Sequence, residues 1–112
     1  IDDALFDSYA ASADFIQAYI FPGGLLIRAS EFRALGEERG LRWTDEKRFG
    51  IDYAETLRLW REAFDRAAAE SLLPEGFDER FRALWRYYLM YCEGGFRGGG
   101  IDVYQVTLVK ER

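Results

Sequence analysis

Ile101-Asp102-Val103-Tyr104-Gln105-Val106-Thr107-Leu108-Val109-Lys110 is the stretch whose reading decides the architecture. In an extended chain, Ile101, Val103, Gln105, Thr107 and Val109 fall on one face, and Asp102, Tyr104, Val106 and Leu108 on the other. Both faces are apolar in the middle, the pattern of a strand covered on two sides. The sequence offers one other strand, 41–48, with Leu41 and Trp43 among polar neighbours. A two-stranded ribbon is marginal in water and does not bury both faces of a strand. The last strand therefore expects sheet neighbours that these 112 residues do not supply.

The other strand runs into Arg48-Phe49-Gly50-Ile51-Asp52-Tyr53-Ala54-Glu55-Thr56-Leu57-Arg58-Leu59-Trp60. This reads as a chain leaving a sheet, turning at Gly50 and entering an amphipathic helix over 52–71. Tyr53, Leu57, Trp60, Phe64, Ala67 and Ala68 form its apolar face at steps of three and four. Tyr53 then lies in the first turn at the sheet end, where α/β proteins tend to place chemistry. Its phenol reads either as a site residue or as a core aromatic with a satisfied hydroxyl. The acidic pair Glu46 and Asp52 fits better as solvation of the strand end and a helix cap than as an acid–base dyad.

Further along, Leu72-Leu73-Pro74-Glu75-Gly76 breaks the chain before a helix over 78–93, with Phe81, Leu84, Trp85, Tyr88, Leu89 and Cys92 on one side. The run Gly94-Gly95-Phe96-Arg97-Gly98-Gly99-Gly100 reads as a flexible turn. It lacks the Gly-Lys-Ser/Thr ending of a phosphate loop and leads into a strand, not a helix. At the start of the chain, Asp2 or Asp3 can cap a helix over 4–19, which Pro22-Gly23-Gly24 ends. Ser30 is placed to cap a short helix over 31–39, with Gly40 at its C-terminal stop. The expectation is an α/β arrangement of four helices and an antiparallel strand pair, forming a single unit over 1–112.

Composition narrows the chemistry. The chain has no histidine, so the commonest general base and metal ligand is missing, and its one cysteine, Cys92, forms neither an internal disulfide nor a cysteine-based zinc site. Fifteen basic and twenty acidic residues leave a formal charge of −5, against the basic face that nucleic-acid binding needs. No apolar run approaches the ~20 residues of a membrane span. The opening Ile1-Asp2-Asp3 has neither a signal peptide's basic start nor an initiator Met, so a longer parent or a processed chain is expected.

Four motifs lie in order: Phe15-Ile16-Gln17-Ala18-Tyr19-Ile20-Phe21-Pro22-Gly23-Gly24, then 49–60, then 81–97, then Ile101-Asp102-Val103-Tyr104-Gln105-Val106. Together they resemble the C-terminal third of the cyclopropane-fatty-acyl-phospholipid synthases and mycolic acid cyclopropane synthases, and the resemblance covers essentially the whole chain. It implies the C-terminal portion of a Rossmann-like class I methyltransferase that uses S-adenosylmethionine. Residues 41–48 would be the sixth strand and 101–110 the reversed seventh, inserted between the fifth and sixth. The implied reaction is methyl transfer to the double bond of an unsaturated phospholipid acyl chain, closing a cyclopropane ring, with bicarbonate as base. The resemblance makes Tyr53 a bicarbonate ligand and Phe21, Leu26, Leu57, Cys92 and Phe96 lining of the acyl pocket. Ordinary core packing is the alternative for the apolar positions.

The resemblance further implies a cytoplasmic enzyme working at the inner-membrane surface. Where the family often has Leu-Pro-Ser after the double glycine, this chain has Leu25-Leu26-Ile27-Arg28, which bears on the pocket mouth and the substrate. Relatives that add a methyl branch without closing a ring fit the same motifs. A free-standing, non-catalytic lipid- or protein-binding module is the rival of a different class. The open edge of the last strand leads us to expect a homo-oligomer, paired or swapped between copies. No glycine-rich cofactor loop follows a first strand here, so the cofactor should be held by other parts of the enzyme. Calorimetry of the 112-residue chain with S-adenosylmethionine should give no binding heat; tight binding would contradict this division.

Overall fold

Capping chemistry sets most of the element boundaries. The computed structural model describes residues 1–111, in the order α1 (Asp3–Ala11), α2 (Phe15–Tyr19), α3 (Ala29–Glu37), β1 (Leu41–Arg48), α4 (Gly50–Ala69), α5 (Glu79–Arg97) and β2 (Tyr104–Lys110). The single helix expected over 4–19 is two. Asp2 caps α1, Ser12 is extended, and Asp14 then starts α2 with a reciprocal capping box to Gln17. Two orphan backbone donors are satisfied at once, so restarting the helix costs less than continuing it.

The other boundaries shift for similar reasons. Helix α3 begins one residue before Ser30, behind Arg28, and the Ser30 hydroxyl instead donates to the Asp3 carboxylate at 3.0 Å. Gly40 takes a left-handed φ of 77° after α3, as a C-terminal stop requires. Helix α5 starts at its Asp78 cap, which accepts from the Phe81 N–H at 2.9 Å. It runs on through Gly94 and Gly95 to Arg97, so half of the expected glycine-rich turn is helical.

Strand β1 has the expected bounds, and it pairs antiparallel with β2 from Leu41↔Lys110 to Arg48↔Tyr104. The register shifts between Thr44 and Lys47, where Asp45 takes a positive φ of 54°. This is a bulge with one extra residue on β1. Strand β2 is shorter than expected because Ile101–Val103 serve another purpose. The Asp102 carboxylate accepts from the Gly50 N–H at 2.8 Å, capping α4 from 52 residues away. Asp52 sits inside the first turn and is not the cap. Next to this bond, the Phe49 N–H donates to the Val103 carbonyl at 3.1 Å.

Two packed bodies result, one made of α4 against α5 and the other of the β1–β2 ribbon with α3 laid on β1. Phe32 of α3 meets Trp43 of β1 edge-on at 5.9 Å. The radius of gyration is 17.4 Å, against about 13 Å for a compact domain of this length. The accessible surface is 8131 Å², against about 6,300 Å² for a folded monomer of this mass. Leu108 and Val109 on β2, and Leu25 and Ile27 before α3, are exposed. The ribbon thus carries the apolar, uncovered faces that its sequence pattern led us to expect.

Gly50 is where the two bodies meet, and a Cβ there would overlap the Asp102 carboxylate oxygen and lie 3.2 Å from its Cα. Alanine ordinarily stabilises a helical position relative to glycine. Here Gly50→Ala should instead cost about 1–3 kcal/mol through overpacking, measured by urea denaturation. A gain in stability would show that the approach is not tight.

Candidate functional site

Helix α4 carries Tyr53 on its first turn, where its N–H donates to the Phe49 carbonyl at 2.9 Å. Its ring meets Phe96 of α5 edge-on, with centroids 5.0 Å apart and planes at 88°, and meets Trp60 at 5.9 Å and 87°. Such pairs add about 0.5–1.5 kcal/mol beyond burial and fix ring orientation. Under them Leu57, Leu89 and Cys92 are buried, with Ile16, Phe64, Trp85 and Tyr88 packed around. The spacing that placed Tyr53 with Leu57, and Tyr88 with Cys92 and Phe96, describes real helix faces because α5 continues past Glu93.

The hydroxyls in this region differ. Tyr9 accepts from the Leu26 N–H at 2.8 Å, and Tyr91 donates to Asp14 at 3.3 Å. Among the described residues no hydrogen bond involves the Tyr53 hydroxyl. The buried side-chain atom without a partner there is Arg61 Nε, so the half-buried Tyr53 leaves its phenol oxygen at the surface. Burial, reinforced by the neighbouring Cys92, pushes the Tyr88 phenol up to about 12, and burial likewise raises the Cys92 thiol. Both are therefore neutral near pH 7, and Cys92 is an inert apolar contact.

Of the other sequence candidates, Phe21 is 55 % exposed and lies edge-on to Tyr88 at 6.2 Å, so it joins the rim of the cluster. Leu57 and Cys92 form its floor, at 2 % and 8 % exposure. Leu26 stands apart. It lines a cavity of about 480 Å³ with Tyr9, Ile16, Met90 and Tyr91, along the α5 face that carries Gly94. Ile16 touches both this cavity and the core cluster. Glu46 is engaged by the Trp43 indole N–H and by Arg48, both at 3.0 Å, so it forms no dyad with Asp52.

Sequence reading passed over two features. One is the Asp102 cap, which no local spacing signals because its partner is 52 residues distant. The other is a set of ion pairs along one flank of the α4–α5 seam, joining Glu55 to Arg58 and Arg97, and Glu93 to Arg97 and Arg61. The Glu93–Arg97 and Glu55–Arg58 spacings were legible signals for it. The Arg58 guanidinium, helped by Arg97, holds Glu55 down at about 2.

The profile described as mycolic acid cyclopropane synthetase matches residues 3–106. The fold is that of solved members: the mycolic acid cyclopropane synthase CmaA1, complexed with SAH and CTAB, superposes with a TM-score of 0.77 at 29 % identity, over 93 % of this chain and 36 % of that one. The chain belongs to the mycolic acid cyclopropane synthetase family, whose members are S-adenosylmethionine-dependent methyltransferases. It is 50 % identical over 97 residues to the tuberculostearic acid methyltransferase UfaA1 of Mycobacterium tuberculosis, covering 86 % of this chain and 22 % of that protein. It is 37 % identical over 92 residues to the cyclopropane-fatty-acyl-phospholipid synthase of Escherichia coli, covering 82 % of this chain and 23 % of the synthase. The chain thus spans under a quarter of the length of these relatives.

The residues present do not fit a nucleotide cofactor. The remaining glycine turn, Gly98–Gly100, follows the C-terminus of α5 and leads towards β2, so no helix N-terminus offers its N–H groups there. For an anion such as bicarbonate, Tyr53 offers a hydroxyl donor and the neighbouring Trp60 an indole N–H, whereas Phe96 and Leu57 offer none. A complete anion cradle needs donors beyond this cluster.

Glu55 gives a pH test. Its folded value lies below the ordinary glutamate range, so its contribution to stability is present above that range and fades as pH falls towards about 2. The melting temperatures of wild type and Glu55→Gln should differ most near neutrality and converge as pH approaches that value. A constant difference would contradict the ion-pair assignment.

Proposed function

We propose that this chain forms part of the acyl-binding wall of an S-adenosylmethionine-dependent fatty-acyl methyltransferase. Phe21, Leu57, Cys92 and Phe96 form one stretch of that wall, Leu26 a second, and Tyr53 supplies a polar donor at the rim. The substrate is the double bond of an unsaturated fatty acyl chain of a phospholipid, and the product carries a cyclopropane ring. The observation that carries this reading is Tyr53 itself. Its phenol, which has no hydrogen-bond partner among the described residues, sits on a ring held edge-on by Phe96 and Trp60 beside a largely apolar cluster.

In that reaction the methyl donor, bound by other parts of the enzyme, supplies an electrophilic carbon, and positive charge develops on the acyl chain. The residues of this chain have three tasks. Buried Leu57, Leu89 and Cys92 give the acyl chain an anhydrous backing, which strengthens every electrostatic effect nearby. The rings of Phe96 and Trp60 offer electron-rich faces to a developing cation. The Tyr53 hydroxyl would be one donor holding a bicarbonate, which when bound would supply the base for ring closure, with further donors outside this chain. Work on phospholipid acyl chains suits a cytoplasmic protein peripheral to the inner membrane; among the described residues, no helix is long and apolar enough to cross a membrane.

A second reading is methyl transfer without ring closure. The higher identity to a tuberculostearic acid methyltransferase, 50 % against 37 % for the phospholipid synthase, favours it. The product distinguishes the two: cyclopropane ring protons in the NMR spectrum of lipids from cells expressing the whole gene mark ring closure. For either reaction, Tyr53→Phe in the full-length enzyme should lower kcat by about 10²-fold, the scale of a lost proton-handling group, with cofactor affinity within about twofold. Unchanged kcat would remove Tyr53 from the site.

A further inference from the structure

The segment Asp102–Val103 meets α4 where the helix begins. Two successive amides of the turn, those of Phe49 and Gly50, both donate to it, at 3.1 Å to the Val103 carbonyl and 2.8 Å to Asp102 Oδ1. The same Oδ1 accepts from the Val103 N–H at 2.9 Å, which fixes the carboxylate relative to its own backbone. The approach leaves no room for a side chain at position 50. A negative group at a helix N-terminus is also favoured by the helix dipole. One turn further on, Tyr53 is bonded through its N–H to Phe49, the residue that Val103 holds.

We infer that Asp102 is a positioning residue for Tyr53: it fixes the first turn of α4 from the β2 side and so sets where the phenol oxygen stands. The inference rests on the reading of Tyr53 as a site residue. Beside this bond, Arg48, two residues before the helix, lies over the Tyr104 ring at 4.7 Å, but the Asp102 carboxylate is the side chain that bonds the first amide of α4 itself. A misplacement of about 1 Å at a reacting group costs about 10²-fold in rate, so loosening this turn should be felt in turnover. Asparagine keeps an Oδ1 acceptor in the same place; alanine does not.

The test is kinetic, on the full-length enzyme with an unsaturated phospholipid and S-adenosylmethionine. Asp102→Ala should lower kcat by about tenfold or more, with KM for lipid and the cofactor dissociation constant within about twofold, and Asp102→Asn should retain at least about half of kcat. In a Tyr53→Phe background, Asp102→Ala should lower kcat by less than about twofold further, because the group it positions is gone. A full multiplicative loss in that background, or normal turnover in Asp102→Ala, overturns the inference and leaves Tyr53 in place. An unchanged kcat in Tyr53→Phe alone overturns the site reading, and the inference with it. Circular dichroism checks the folding of each variant. Where Asp102→Ala does not fold, Asp102→Ser, whose hydroxyl is one atom too short to reach Gly50, is read by the same criteria.

Discussion

The Asp102 carboxylate is the side chain that links the segment entering β2 to the first amide of α4. Asp102 comes from the segment entering β2 and accepts the Gly50 N–H that opens α4, and the parallel bond from Phe49 to Val103 doubles the attachment. The ribbon and the helical pair otherwise touch little. This junction lies one turn before Tyr53, whose N–H bonds to Phe49. The absence of a Cβ at Gly50 is part of it, because any larger residue would occupy the carboxylate's place.

The helical pair is a layered structure. Its middle is apolar, with Leu57, Leu89 and Cys92 buried together, and one flank is laced by Glu55, Arg58, Arg61, Glu93 and Arg97. Exposed ion pairs contribute modestly to stability. Two of them, Glu55–Arg97 and Arg61–Glu93, run between α4 and α5. The edge-on rings of Tyr53, Trp60 and Phe96 occupy the rim of the apolar layer. The geometry thus combines a buried apolar interior with the hydroxyl of Tyr53 at its surface and that of Tyr88 packed beside Cys92.

How much of this could be read from the sequence depended on the range of each interaction. Strand β1 was found with its exact bounds, and the shared faces of Tyr53 with Leu57 and of Tyr88 with Cys92 followed from helical spacing. The break between α1 and α2 was missed because apolar residues continue at helical intervals across it. Only the Asp14–Gln17 capping box marked the restart. Gly94 and Gly95 were read as loop on propensity, yet they lie inside α5, where Gly95 comes close to Ile101. Ile101–Val103 were read as strand from alternation, whereas Asp102 turns to α4, an interaction between residues too far apart for any local pattern. Leu26, grouped with the pocket by resemblance, lines a cavity with Tyr9, Ile16, Met90 and Tyr91.

The exposed apolar faces of the ribbon and the small buried core agree with a segment that spans under a quarter of its relatives and completes a larger sheet. The central claim is that this segment supplies the acyl side of the reaction. Photolabelling tests it most directly. Full-length enzyme is irradiated with a phospholipid bearing a diazirine near the acyl double-bond position, and the labelled residues are located by mass spectrometry. Label on Phe21, Tyr53 or Phe96, competed by unmodified unsaturated phospholipid, is the expected result. Label confined to residues outside 1–112 would contradict it.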